Sequence, residues 1–539
     1  MTPTDKKPSR SLQLNEASTS LNRSSSLFFI VVVAVYAFAR LWRLSSSCLW
    51  FDEIFTVHAA RHSWLEMLRF VAADIIHPPL FYAVLKVWIA IGGESLIWLR
   101  LLPGVISVAT IIPFVLLARD LKLRPAELNL ALLLLAVNGY LIKYAQEVRM
   151  YGLLLFFTVT SLWLFVRVVN SHKARKEIVG LLAINLLLVY THYYGWMVVL
   201  IEGLALLIWW RERVREFLMT VGVLVLSYLP WVYLVATSTE PGRGLAQNIG
   251  WVTRPGLRDV AQFLTMLSVP FFARQSSVSS FNEIWIGLLV LLLFGLPLST
   301  LLVGLYMHLQ DRKREHLVLY WLILCSFVPV LFAFVLSWLL PHSIWGSRHL
   351  IITAAPYSLL VAVALLRLRP AWLRTTCFSI VGTWFFLAGV ILVATPAPVY
   401  IWCAWDHLAQ EMPSSEPKSY RAVQVYAFED LVAYHLWFAF ESAELRLRPN
   451  YDNRKVTVSK GVPGLHEDPA YFLPRRFGEI DVQNNAMLQG DEVWIAFRAR
   501  EWDTTRPPLN LILQQGYRAD QVLEFSAQGE KAFLAKFRR

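Results

Sequence analysis

Charged residues are scarce in this chain. Of its 539 residues, 16% are Asp, Glu, Lys or Arg, against 56% that are hydrophobic. A soluble protein of this length could not cover so much apolar surface, and the mean hydropathy of +0.49 excludes that class. Acidic residues are the scarcer sign, 38 against 50 basic ones, for a net charge of +12. The basic excess forms no stripe. It falls in short clusters between apolar runs, which argues against a nucleic-acid surface and for the cytoplasmic rim of a membrane protein. Cysteine is limited to four residues with no metal spacing. Cys325 and Cys377 lie in apolar runs and read as packing residues. Cys48 and Cys403 would share the outer side, where a disulfide between them is open. Beyond Pro396 there is no metal motif, Gly-rich phosphate loop or nucleophile elbow, which leaves that portion without those chemistries.

What the chain has instead is apolar runs punctuated by arginine. The first, Leu27 to Leu44, follows Lys6, Lys7, Arg10 and Arg23, so the N-terminus is expected inside. It lacks a small-residue cleavage site and reads as an uncleaved helix rather than a signal peptide. Residues 1–26 are Ser-rich and polar, and are expected to be a disordered cytoplasmic tail. Later runs alternate with basic clusters at Arg119 to Arg124, His172 to Lys176, Arg211 to Arg215, Arg312 to Arg314 and Arg367 to Arg374. Leu80 to Ile91, at about 12 residues, is short for a crossing. If it crossed, every later basic cluster would face the wrong way, so it is expected to be embedded from the outer face. The spacing of Trp64, Leu65, Leu68, Val71 and Ala72 predicts a helix over Ser63 to Ala73 lying on the membrane. The result is an α-helical polytopic membrane protein with about 11 spans plus external membrane-embedded helices.

From about Pro396 the composition turns charged and mixed. Strand-like runs, Tyr420 to Phe428 and Glu492 to Arg498, flank a helical stretch, Asp430 to Phe440. This predicts a small extracytoplasmic α/β domain over 396–539, behind a transmembrane domain over 27–395 whose first external loop is 45–99. A lid or acceptor-docking role is expected of it. Its arginines Arg446, Arg448, Arg475 and Arg476 are either an attraction for an anionic acceptor or a solvated face.

On this topology the unusual polar residues collect on the outer side: Asp52, Glu53, Asp74, His77, Arg100, Gln146, Glu147, Arg149, Tyr151, His192, Tyr193, Arg348 and His349. Single members have bland readings. Arg100 and Arg348 could snorkel at run ends, His192 and Tyr193 could anchor an interface, and Glu147 with Arg149 could be a solvated pair. Asp52-Glu53 is harder to dismiss, because adjacent carboxylates beside a bilayer are costly. Carboxylates with several arginines at a membrane face suit sugar transfer from a polyprenyl-phosphate donor. The leaving phosphate gains negative charge that arginines can stabilise, and the acceptor hydroxyl needs a base.

At these residues the chain resembles the integral-membrane GT-C glycosyltransferases, the bacterial relatives of protein O-mannosyltransferases and of the lipid A aminoarabinose transferase. The matching stretches are Phe51-Asp52-Glu53, His77-Pro78-Pro79-Leu80-Phe81-Tyr82, Arg100-Leu101-Leu102-Pro103, Tyr144 to Tyr151 and Thr191-His192-Tyr193-Tyr194-Gly195. Ser347-Arg348-His349 looks like a later Arg-Tyr element with His in place of Tyr. The resemblance covers roughly residues 27 to 395. It implies an inverting transferase using a polyprenyl-phosphate sugar at the outer face of the bacterial cytoplasmic membrane, acting on a protein, lipid or glycan acceptor. Asp52 would be the catalytic base, and Glu53 would position it or bind sugar or acceptor. His77 would shape the donor pocket, and Arg100, Arg149 and Arg348 would be candidates for the phosphate. Glu147 would take sugar hydroxyls or a second acidic role, with Tyr151, His192 and Tyr193 lining the substrate site. No cofactor is expected to be obligatory, although a divalent metal near these acids is open. The alternative is a transporter or flippase of a lipid-linked substrate. It expects charged or broken helices at mid-membrane, and only Glu202 lies well inside a run.

Overall fold

The computed structural model describes residues 10–171, 174–238, 252–271, 280–307, 314–412, 423–441, 454–459, 480–483 and 487–539. Much of the stretch between Thr237 and Glu283, and the arginines Arg446, Arg448, Arg475 and Arg476, lie outside these residues.

The chain begins with α1, Arg10–Leu41. The expected tail is therefore corrected over residues 10–26: the helix runs back through them, since neither Gly nor Pro interrupts that stretch. Three helices follow in the segment expected to be the first external loop: α2 (Phe51–Arg61), α3 (Trp64–Asp74) and α4 (Leu80–Gly92). In α3, Met67, Phe70 and Val71 are buried while Trp64 and Leu65 are exposed, the one-sided pattern of a helix lying on a membrane. The apolar run that contains Arg100 starts at Leu96. It is two helices end to end, α5 (Leu96–Ala109) and α6 (Ile111–Asp120).

The centre of the bundle is built from α7 (Pro125–Val137), α8 (Gly139–Ala145), α9 (Tyr151–Asn170), α10 (Arg175–Thr191) and α11 (Gly195–Trp209). Then come α12 (Val214–Ser238), α13 (Leu257–Met266), α14 (Ser280–Val290) continuing into α15 (Leu296–Met307), and α16 (Arg314–Leu339). A short 3-10 turn, His349–Thr353, opens α17 (Ala354–Arg367), and α18 is Ala371–Ala394. Among the described residues, seven helical segments are long and apolar enough to cross a membrane, and four shorter apolar helices accompany them, Leu80–Gly92 included. The segment from His349 to Arg367 is 89% buried against other helices, whereas Arg211–Ser238 and Ala371–Ala394 are each 17% buried. The former is the core of the bundle. The latter two present Leu, Val and Phe outward, as lipid contact requires.

Buried polar groups inside the bundle are spent on structure. Arg40 lies over the Tyr36 ring and donates to Ser107 Oγ and to the carbonyls of Tyr36, Leu135 and Ala136, which ties α1 to α5 and to the C-terminal end of α7. Glu202 on α11 meets Ser161 on α9 (2.6 Å) and Asn185 on α10 (2.8 Å), and Ser161 meets Asn185 at 2.5 Å. Ser161 has one hydroxyl proton for two oxygen neighbours. The ring closes with one proton per contact only when Glu202 carries its own. Glu202 is thus a three-helix fastening, and the residue on which a transport reading leaned is enclosed.

The C-terminal portion holds α19 (Ala404–Glu411), α20 (Asp430–Phe440), α21 (Leu509–Gln514) and six strands: β1 (Gln424–Ala427), β2 (Lys455–Ser459), β3 (Asp481–Gln483), β4 (Glu492–Ala499), β5 (Arg518–Ala527) and β6 (Glu530–Arg538). They form one mixed sheet in the order β3-β2-β1-β4-β6-β5, with β1 parallel to β2 and β4, and β6 antiparallel to β4 and β5. Strand β4 is buried on both faces. Val493, Ile495 and Phe497 pack with α21, while Trp494 and Ala496 face the side continuous with the helical bundle. Cys48 and Cys403 are joined in a disulfide, which ties the loop before α2 to the segment entering this domain.

Two predictions follow from this packing. Under denaturing conditions a maleimide reagent should modify two thiols, Cys325 and Cys377, and four after reduction; four without reductant would contradict the pairing. Glu202→Gln can keep the ring by donating its amide to Ser161, so its thermal midpoint should match wild type. Glu202→Leu strands Asn185 and Ser161, and should cost about 1–3 kcal/mol of stability. Equal midpoints for the two variants would count against the ring.

Candidate active site

The site is assembled around the first turn of α2. Glu53 caps that turn by accepting the Trp50 N–H (3.1 Å), which sets the two neighbouring carboxylates on different sides. Glu53 points inward and is fully buried. It takes Arg100 at both oxygens (Oε2 to Nη2 3.0 Å, Oε1 to Nε 3.3 Å) and accepts the Val148 N–H at 2.9 Å. Arg100 donates its remaining N–H groups to the carbonyls of Leu44, Ser47 and Cys48. The phosphate role expected of Arg100 is not what this geometry offers, since its donors are spent on the protein. Glu53 likewise has no open face for a sugar and is a positioning residue.

Asp52 points the other way and is partly exposed. Its Oδ2 accepts Arg348 Nη1 at 2.8 Å and lies 3.9 Å from Arg149 Nη2. Arg149 is buried and grips α2 from behind, donating to the Asp52 carbonyl (3.1 Å) and to Thr56 Oγ1 (2.8 Å). Thr56 was not singled out from the sequence, although its place one turn after Asp52 on the same helix face was a usable signal. Arg348 comes from the turn before α17. That turn is held by Tyr140, whose hydroxyl donates to Ser347 O (2.7 Å), and by Tyr194, which donates to Ile344 O (2.6 Å).

Behind Arg149 lie three histidines. Ile75, a β-branched residue in the left-handed region (φ +68°), turns the chain out of α3 and brings in His77. His77 Nδ1 accepts Arg149 Nη2 at 3.2 Å. His192 sits at the end of α10, where Gly195 leaves no room for a Cβ (2.8 Å from Leu188 O), and its Nδ1 accepts the Tyr194 N–H at 3.0 Å. His349 completes the group: one ring nitrogen of each of His77, His192 and His349 lies within 4.8 Å of those of the others. Burial, then the charges of Arg149 and its neighbours, hold His77 well below its ordinary pKa. Burial, then Arg348 and Arg149, depress His192 to about 3. Both rings are neutral at physiological pH. Tyr151 opens α9 with its ring 6.4 Å from His192 and 6.3 Å from His349.

The other expected members lie around this centre, Glu147 within electrostatic reach of Arg348 and Tyr151. Glu147 is buried with Oε1 3.9 Å from Lys143 Nζ. Tyr193 lies near Asp74, with burial raising its phenol to about 12. Gln146 donates to the carbonyls of Ala39, Arg40 and Trp42 and closes the end of α1. Lys86 caps the C-terminal end of α2 through the carbonyls of Ala60 and His62. The C-terminal domain reaches α2 directly, through His58 Nδ1 and Tyr434 hydroxyl (3.1 Å) and through Phe51 against the Tyr434 ring.

Comparison with solved proteins shows which fold this is. The fold is that of ArnT from Cupriavidus metallidurans in the apo state, with a TM-score of 0.52 and 14% identity over 96% of this chain and 98% of that one. The same protein bound to undecaprenyl phosphate gives 0.52 and 15% identity over 95% and 97%. The archaeal oligosaccharyltransferase AglB from Archaeoglobus fulgidus, in complex with an inhibitory peptide and a dolichol-phosphate, matches at 0.47 and 14% identity over 76% of this chain, which spans 63% of AglB. No protein-family model and no curated protein matches. The chain is a multi-pass membrane protein with the GT-C fold that the residues around Asp52 led us to expect.

Removal of the inner carboxylate tests the division between the two acids. Glu53→Ala leaves Arg100 charged and buried, and should cost about 3–5 kcal/mol, read as a lower thermal midpoint of the protein in lipid. An unchanged midpoint would show that the pair does not hold α2.

Proposed function

We propose that the chain is an inverting glycosyltransferase of the extracytoplasmic membrane face, moving a sugar from a polyprenyl-phosphate donor to an acceptor hydroxyl. The observation that carries this reading is the outward-facing Asp52 carboxylate, held 2.8 Å from Arg348 and backed by Arg149. The ArnT complex with undecaprenyl phosphate supports the donor class. The acceptor O–H loses its proton to Asp52 as its oxygen bonds to the sugar's anomeric carbon. The bond from that carbon to the phosphate oxygen breaks, and its electron pair leaves with the polyprenyl phosphate. Arg348 is the cation that can pass from Asp52 to the departing phosphate. Arg149, committed to the α2 backbone and His77, supplies fixed positive charge. The step needs no general acid, because a phosphate is a good leaving group. The donor sugar is a hexose or pentose, and the C-terminal domain, packed on α2, is where the acceptor docks.

Purified protein in lipid should release free polyprenyl phosphate from one member of a panel of polyprenyl-phosphate sugars. Asp52→Asn should lower the rate by about 10²–10⁴-fold while leaving donor affinity near wild type. Release at the same rate without the Asp52 carboxylate would remove it as the base. Arg348→Gln should weaken both affinity and rate, since its cation serves before and during the step.

A further inference from the structure

His77, His192 and His349 gather as a metal triad would, but two of the rings are wired against it. Arg149 can only donate, so His77 Nδ1 is an acceptor; the Tyr194 backbone N–H makes His192 Nδ1 an acceptor too. A neutral imidazole whose Nδ1 accepts carries its proton on Nε2, where it is a donor and not a metal ligand. The Nε2 atoms of all three histidines are buried and without a protein partner, as are the Tyr151 and Tyr82 hydroxyls and Arg149 Nε. No carboxylate belongs to the triad. Gly346 has no room for a Cβ, which would lie 2.6 Å from His349 Nδ1, so the ring is wedged in place by the turn that presents Arg348. Unpartnered donors converging beside two arginines lack an acceptor of negative charge. A divalent cation would require the Nδ1 hydrogen bonds of His77 and His192 to be given up.

We propose that His77, His192 and His349 are neutral hydrogen-bond donors that receive the non-bridging oxygens of a lipid-linked phosphate, a diester in the sugar donor and a monoester once the sugar has left, and that they do not hold a metal ion. Resting on the transferase reading, this assigns the triad to the phosphate of the polyprenyl donor. Arg348 is the cation that meets Asp52, while His77 and His192, fixed through Nδ1, and His349, wedged against Gly346, are the stationary donors that set the phosphate's orientation. A donor-only nest of this kind also selects against sugars that are linked through an uncharged group.

The test exploits the shapes of Asn and Gln. His192→Asn keeps an acceptor where Nδ1 was and removes the inward donor, whereas His192→Gln places an amide N–H near the Nε2 position. Undecaprenyl phosphate binding to the full chain in phosphatidylcholine nanodiscs should weaken about ten- to hundredfold in His192→Asn and in His77→Asn, and recover largely in His192→Gln. Inorganic phosphate as a second probe separates headgroup from lipid. The same histidine dependence with phosphate alone shows that the phosphate group suffices. Dependence with undecaprenyl phosphate only shows that the lipid must deliver it. Ring ¹⁵N shifts of labelled protein should report the Nε2–H tautomer for His77 and His192. Unchanged undecaprenyl phosphate affinity in a folded His192→Asn variant overturns the proposal. So does stoichiometric Zn²⁺ binding by chelator-treated wild type that His192→Asn abolishes. Asp52-dependent turnover alongside unchanged His192→Asn binding would sink this inference and leave the transferase reading intact. Histidine-dependent phosphate binding without Asp52-dependent turnover would do the reverse.

Discussion

A single buried ion pair sets the geometry of the whole site. Glu53 and Arg100 meet with no water access, and such a pair is tolerable only when every remaining donor and acceptor is satisfied. Here the satisfaction comes from three directions: the loop from Leu44 to Cys48, the Trp50 amide and the Val148 amide. The pair therefore joins the end of α1, the start of α2, α5 and the turn before α9. Once Glu53 is committed inward, the helical step of one residue turns Asp52 outward. Two adjacent carboxylates acquire different duties from their surroundings alone.

The arginines divide in the same way. Arg40 and Arg100 spend their donors on helix ends and loop carbonyls, and so serve the fold. Arg149 is intermediate, gripping α2 while facing His77. Arg348 sits on a turn, keeps 24% of its side chain exposed and meets Asp52. A gradient thus runs from structural to available cation across the site. The C-terminal domain is coupled to this arrangement by the Cys48–Cys403 bridge and by Tyr434 against α2, so an acceptor docked there would act on the helix that bears Asp52.

The sequence by itself determined the class. Apolar runs of spanning length, arginine clusters between them and the short stretch at Leu80 to Ile91 follow from hydrophobic transfer and charge cost, which act locally. The helices α3 and α4, and the strand-helix alternation that became a six-stranded sheet, were legible for the same reason. Sequence order also placed Asp52, His77, Arg149, His192 and Arg348 on one side. Only the tertiary structure decided what each does. Arg100 and Arg348 look alike in sequence, both beside apolar runs, yet one is enclosed and the other is partly exposed and meets Asp52. That depends on which carbonyls surround the guanidinium, a matter of contacts across dozens to hundreds of residues. The tautomers of His77 and His192 likewise depend on partners at Nδ1, and no local pattern encodes which ring nitrogen faces the site.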